Sequence, residues 1–249
     1  MSFPIGISQT FPENWPAGLV ALAAPMTSLK LTPEDAHVLG TFSTVYRRQM
    51  EVTAQEFLSD ALQEQIAEVL ALYPKGVMPR IGYCSWKASL IDNRPAVTLA
   101  DVLRILTTDD PRVGNALSVQ VSSGDDVYLH LREWRDIPDW SEMRMFFRGG
   151  KYVGASQYGY RHRYPQVVQH AAEIESLLQR AATGLLAQLH LPDVIADVAL
   201  LPRDGRDPQS GFSPLLIELN PFGALSDACL FNWDQGGDFD GRFRYQRSV

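Results

Sequence analysis

Apolar residues recur along this chain at two periods. Phe57, Leu58, Ala61, Leu62, Ile66, Val69 and Leu70 fall at helical spacing and stop at Tyr73-Pro74, and Thr53 with Glu56 forms a capping box just ahead of them. The pair predicts a helix beginning there. Thr98 to Asp101 is a second such signature, opening a shorter helix that carries Val102, Leu103, Ile105 and Leu106. Pro165 suits a first helical turn, and Val168, Ala171, Ala172, Ile174, Leu178, Ala181, Leu185 and Leu189 follow it as one apolar stripe. Elsewhere the period is two. Residues 127–134, 142–147, 151–156, 194–200 and 215–219 read as strands. Arg148-Gly149-Gly150 joins the second and third as a hairpin turn, and the polar loop 202–214 joins the last two as a longer one. The order describes an α+β fold with largely antiparallel sheets.

Alternation also sorts the side chains. In the last strand Glu218 and Asn220 share one face while Leu215, Ile217 and Leu219 share the other. In its expected partner Val194, Ala196, Val198 and Leu200 form one face and Asp197 stands on the opposite one. Pairing the two strands brings two carboxylates and an amide oxygen together. Like charges so placed repel and are costly to desolvate unless something positive joins them. Magnesium fits, as a hard cation that takes oxygen ligands and binds through one or two carboxylates together with phosphates. The same residues read equally well as solvated carboxylates on an exposed sheet face, with Asn220 a turn residue ahead of Pro221. Glu142 and Arg144 point with Phe146 to one face of their strand, away from Met143 and Met145. They are either a surface ion pair of little energetic weight or a strand that aims the Arg144 fork at phosphate.

Composition narrows the function. With 249 residues, 45% of them hydrophobic and 20% charged, the chain can bury a sizeable core. A net charge of -7 argues against a nucleic-acid surface, which needs a basic stripe. No apolar run approaches the roughly 18 residues of a membrane span, and the N-terminus has no signal-peptide pattern, so a cytoplasmic location is expected. Cys84 and Cys229 match no metal or redox spacing and read as reduced, packed thiols. The five histidines are scattered and read as structural. No Walker sequence, dinucleotide glycine fingerprint, G-x-S-x-G elbow or H-E-x-x-H occurs.

The order of these motifs resembles the cell division cycle protein 123 family. Its run of an acidic residue, an apolar one, Asn-Pro-Phe, Thr-Asp, Leu-Phe and Trp is met by Glu218, Asn220-Pro221-Phe222, Ser226-Asp227, Leu230-Phe231 and Trp233. Residues 147–157 resemble its hairpin ending in Gly-Ile-Ser-Gln, with Glu142 and Arg144 at its Glu and Arg positions, and Leu131-Arg132-Glu133-Trp134 is similar to its Leu-Arg-Lys-Trp strand. Residues 78–89 resemble Phe-Pro-Lys-Leu-Asn-Trp-Ser-Ala-Pro-Arg-Asp-Ala more loosely, and the first fifty residues match poorly.

The resemblance implies an ATP-grasp fold. That means two lobes of mainly antiparallel sheets flanked by helices, residues 1–130 and 131–249, with a nucleotide cleft between them. It implies ATP and Mg²⁺ as cofactors and Asp197, Glu218 and Asn220 as the metal ligands. Arg80, Lys87, Glu142 and Arg144 would serve the nucleotide, Lys87 and Arg144 in catalytic positions, and Arg132, Glu133 and Trp134 would border the adenine. Arginine replaces lysine at 80, Glu133 replaces a lysine, and Gly82, Trp86 and Ala88 break the first motif, whereas the metal half is nearly intact. The expected activity is an ATP-dependent carboxylate–amine ligase working through an acyl phosphate on a small-molecule or protein acceptor. The alternative is an ATP-bound assembly chaperone for the γ subunit of translation initiation factor 2.

Overall fold

The computed structural model describes residues 7–55, 57–82, 84–86, 94–203 and 211–247. Its contacts gather into two compact units, Met1–Glu13 with Pro25–Arg135, and Asn14–Ala24 with Asp136–Val249. A division between residues 130 and 131 would cut strand β4 (Tyr128–Glu133), which pairs along its length with β1 (Met26–Lys30) and β2 (Val77–Ile81). The chain therefore stays in the first unit through Arg135, and Asn14–Ala24 belongs to the second.

In the first unit β3 (Cys84–Ser85) completes an antiparallel sheet of order β1-β4-β2-β3. Its apolar face presents Val77, Ile81, Leu129 and Leu131 to a core closed by helices α2 (Pro33–Thr41), α3 (Thr44–Met50), α4 (Asp60–Leu72), α5 (Leu99–Leu106) and α6 (Pro111–Ser123). The helix starts show what the sequence conceals. α5 begins at the expected capping box, with Thr98 Oγ1 accepting from Asp101 N at 3.1 Å. α4 does not begin near Thr53. Its N-cap is Ser59, whose Oγ accepts from Leu62 N at 3.2 Å, while buried Asp35 accepts from Ser59 N at 3.0 Å and Ser59 Oγ at 2.9 Å. A carboxylate held by Thr32, the N-cap of α2, thus decides where α4 starts, and Phe57 is left 79% exposed. α6, Asp110-capped with Pro111 at its first position, ends at Gly124 in the left-handed region. At Gly114 a Cβ would come within 2.0 Å of Ser43 Oγ, so glycine permits the close approach of α6 to the start of α3.

The second unit contains α1 (Ala17–Val20), helices α7 (Pro165–Gln169) and α8 (Ala171–Leu186), and a sheet of order β8-β7-β5-β6-β9. Its strands are β5 (Glu142–Arg148), β6 (Lys151–Gln157), β7 (Val194–Pro202), β8 (Phe212–Pro221) and β9 (Phe243–Arg244), antiparallel except where β6 meets β9. Gly149 and Gly150 take φ of 57° and 68°, as the tight β5–β6 turn requires. The single long helix expected after Pro165 is broken at His170, whose ring meets Phe212 edge-on at 5.7 Å. Met143, Met145, Phe147, Val194, Ala196, Val198 and Leu200 pack against Ile174, Leu178 and Leu185 of α8, which is the face that alternation predicts. β8 departs from it. A bulge opposite Asp197/Val198 inserts Ile217, so Leu216 and Leu219, not the expected Leu215, Ile217 and Leu219, supply its apolar core face. Among the described residues no helix is long and apolar enough to cross a membrane.

Candidate functional site

The other face of the second sheet carries a polar row. Ser156 on β6, Arg144 on β5, Asp197 on β7 and Glu218 on β8 stand in register, with Arg244 on β9 extending the row. The bulge lies just beyond Glu218, so it leaves Asp197 and Glu218 opposite one another. Asn220, two residues on, returns to the same face. Its Nδ2 donates to Asp197 Oδ2 at 3.0 Å and to Glu218 Oε1 at 3.3 Å. One donor group thus occupies the point on which two carboxylate oxygens converge. Of the two readings open for these carboxylates, solvation on an exposed face is excluded, because Asp197 has no exposed surface and Glu218 is 9% exposed.

Arg144 adopts neither of its expected roles. It is no surface ion partner of Glu142, and its fork does not stand ready for phosphate. Nε and Nη2 donate to the two oxygens of Asp197 at 2.8 and 2.7 Å, Nη1 donates to Asp227 O at 2.8 Å, and the guanidinium lies 4.8 Å from the Tyr158 ring centre. Register explains this, since Asp197 is the cross-strand neighbour of Arg144. Burial pushes the Asp197 carboxyl up, against the pull of Arg144 and with Glu218 adding to the rise, to about 6. Burial opposes the Arg144 charge in turn, but Asp197 outweighs it and holds the proton more firmly than usual.

The chain after β8 folds over this face. Ser226 Oγ donates to Pro221 O at 2.7 Å, Trp233 Nε1 donates to Ser226 O at 2.8 Å, and Tyr160 OH donates to Asp227 Oδ2 at 3.1 Å. Phe222, Ala228, Phe231, Trp233 and Phe239 cluster there with Phe146 and Ile195 of the sheet. Asp227 and Tyr158 belong to the site and carried no role in the sequence reading. Asp227 was visible only inside the Ser226-Asp227 pair, and nothing local marks Tyr158. Cys229, beside them in the left-handed region, has its thiol pushed up to about 12 by burial and by neighbouring Asp197, Asp227 and Glu142.

Glu142 begins β5, two residues before Arg144. Arg80, Arg132, Glu133 and Trp134 belong to the first unit. Arg80 is buried on β2, opposite His130, and Arg132 is half-buried between Met26 and Met78. Glu133 N and Trp134 N donate to Pro25 O and Gly76 O at 2.7 and 2.9 Å, and the Glu133 carboxylate accepts from Arg135 Nη2 at 2.6 Å. Lys87 lies outside the described residues.

The D123 family model matches residues 43–237. The chain belongs to the D123 family. Relatives include the translation initiation factor eIF2 assembly proteins of Xenopus laevis, 26% identical over 196 residues, and Xenopus tropicalis, 24% over 183. These alignments cover 74% and 69% of this chain but 55% and 52% of the relatives, so the chain spans about half the length of the curated relatives it matches. The solved structure of Cdc123 from Schizosaccharomyces pombe superposes with a TM-score of 0.73 over the whole of both chains at 15% identity. The α+β fold is therefore shared. Asp197, Glu218, Asn220 and Asp227 all fall inside the segment matched to the D123 model.

Proposed function

We propose that this protein is an assembly factor for translation initiation factor 2, acting on its γ subunit, and that its second unit binds ATP with magnesium held by Asp197, Glu218 and Asn220. Support for translation initiation factor 2 as the partner comes from the names of the Xenopus relatives, and its γ subunit is what the family resemblance implies. The observation that carries the metal site is the convergence of Asp197 Oδ2 and Glu218 Oε1 on one atom, Asn220 Nδ2, at 3.0 and 3.3 Å.

The donor set fits the ion. Two carboxylates and an amide oxygen are the hard ligands magnesium takes, and turning the Asn220 amide end for end presents Oδ1 to a cation in place of Nδ2. Two carboxylate side chains, Asp197 and Glu218, face one another beside a single guanidinium, and a divalent ion held between them would relieve their mutual repulsion. Held by Asp197, Glu218 and Asn220, magnesium would neutralise charge on the phosphates of the nucleotide. Arg144 fixes both oxygens of Asp197 and so orients the metal-binding face, and Asp227 and Tyr158 hold Arg144. The assembly role is preferred to the expected ligase on the relatives' names: of the two cations expected to act on a moving phosphoryl group, Arg144 has its fork on Asp197 and Lys87 lies outside the described residues.

Calorimetric titration with ATP tests the site. Binding is expected to require Mg²⁺ and to weaken at least roughly tenfold, about 1.4 kcal/mol, in Glu218→Gln and Asn220→Ala. Equal affinity in EDTA and in both variants would sink the assignment. Capture of purified γ subunit without ADP release supports the assembly role; ADP release that depends on an added carboxylate and amine supports the ligase.

A further inference from the structure

The first sheet also carries a polar row on the face away from its core, and chemistry is arranged along it. Ser28 on β1, His130 on β4 and Arg80 on β2 stand in register, followed by Ser85 on β3. The His130 ring is wholly buried, and both of its nitrogens are engaged. Nδ1 lies 2.8 Å from Ser28 Oγ, and Nε2 lies 2.9 Å from Glu13 Oε2. Ser28 itself is exposed, while Glu13 is 12% exposed.

The partners determine where the protons sit. An ionised carboxylate only accepts, so Nε2 carries its hydrogen toward Glu13. In the neutral ring Nδ1 is then bare and accepts from the Ser28 hydroxyl. An oriented base thus points its lone pair at an accessible alcohol, and a carboxylate fixes the tautomer. That is the arrangement that activates a serine.

We propose that Ser28, His130 and Glu13 form a second chemical site, in which Ser28 is a nucleophile toward acyl donors of the ester class. As Ser28 Oγ bonds to the ester carbonyl carbon, its proton passes to His130 Nδ1. The tetrahedral adduct collapses with loss of the alkoxide, which takes that proton, leaving acyl-Ser28 and a neutral ring. Water gives a proton to the same nitrogen as it adds to the acyl carbon, and the second adduct collapses with loss of Ser28 Oγ, which takes that proton, releasing the free acid and restoring Ser28 and the neutral ring. Glu13 acts as a positioning residue. The site is independent of the nucleotide reading, and its test uses no nucleotide.

The test is p-nitrophenyl acetate applied to the full chain, following p-nitrophenolate release and locating the acetyl group by mass spectrometry. The expected result is a burst with acetate on Ser28, absent in Ser28→Ala. In Glu13→Gln the side-chain amide can donate to Nε2 and so move the ring proton onto Nδ1. Its burst should be slower by roughly 10²-fold at unchanged amplitude, an effect that loss of packing alone would not give. Release at the same rate in Ser28→Ala, or acetyl groups on lysines with Ser28 unmodified, overturns the proposal.

Discussion

The two sheets use one plan with different residues. Each packs an apolar face on helices and carries a polar row across the other, Ser28–His130–Arg80–Ser85 in the first and Arg244–Ser156–Arg144–Asp197–Glu218 in the second. The difference lies in what sits at the centre. His130 is a hydrogen-bonded hub whose partners Ser28 and Glu13 reach water, whereas Arg144 and Asp197 form an ion pair with 4% and no exposure. A buried ion pair ties down every group that satisfies it, here Asn220 and the Asp227 carbonyl as well.

The largest effect expected from this contrast is at Arg144. Arg144→Met leaves Asp197 buried without its counter-ion and should cost about 3–5 kcal/mol in urea unfolding. Adding Asp197→Leu to that variant should recover most of the loss, since removing both charges of a buried pair is often neutral. A loss below about 1 kcal/mol for Arg144→Met would mean that the pair is solvated, and the contrast fails. His130→Gln should cost less, about 1–3 kcal/mol, because the groups it strands can turn to water. Equal losses at the two hubs, measured in the same urea series, would erase the difference between the rows.

What the sequence displayed and what it hid separate along the same physical line. The β5–β6 hairpin was legible because its two glycines are demanded by local φ, and the facing of Asp197 and Glu218 was legible because period two holds up to the bulge. Leu215-Leu216-Ile217 is apolar throughout, so nothing in it marks Ile217 as the inserted residue. The partner of Arg144 is 53 residues away, and only strand register selects Asp197 over the local Glu142. His130 read as one scattered histidine, although its alternation with Tyr128 and Arg132 had already set it on the polar face. α2 and α3 lack a strong apolar stripe and pack through Val38 and Leu39 and through Tyr46, whereas α6 presents Val113, Ala116 and Leu117 at helical spacing after Pro111 and went unrecognised.

The smallest effects fall on the helices that seat the first sheet, and they measure how far local signals alone can be trusted there. Thr53 and Thr98 look alike in sequence, each three residues ahead of an acidic side chain. In the structure only Thr98 caps a helix, with its hydroxyl on Asp101 N and the Asp101 carboxylate on Thr98 N at 2.9 Å. Thr98→Ala should therefore lower stability by about 1 kcal/mol. Thr53→Ala, outside any helix, should stay within about 0.5 kcal/mol of the parent. A cost at Thr53 matching that at Thr98, read from thermal melts of both variants, would mean that α4 starts at Thr53 and that Asp35 does not set its beginning.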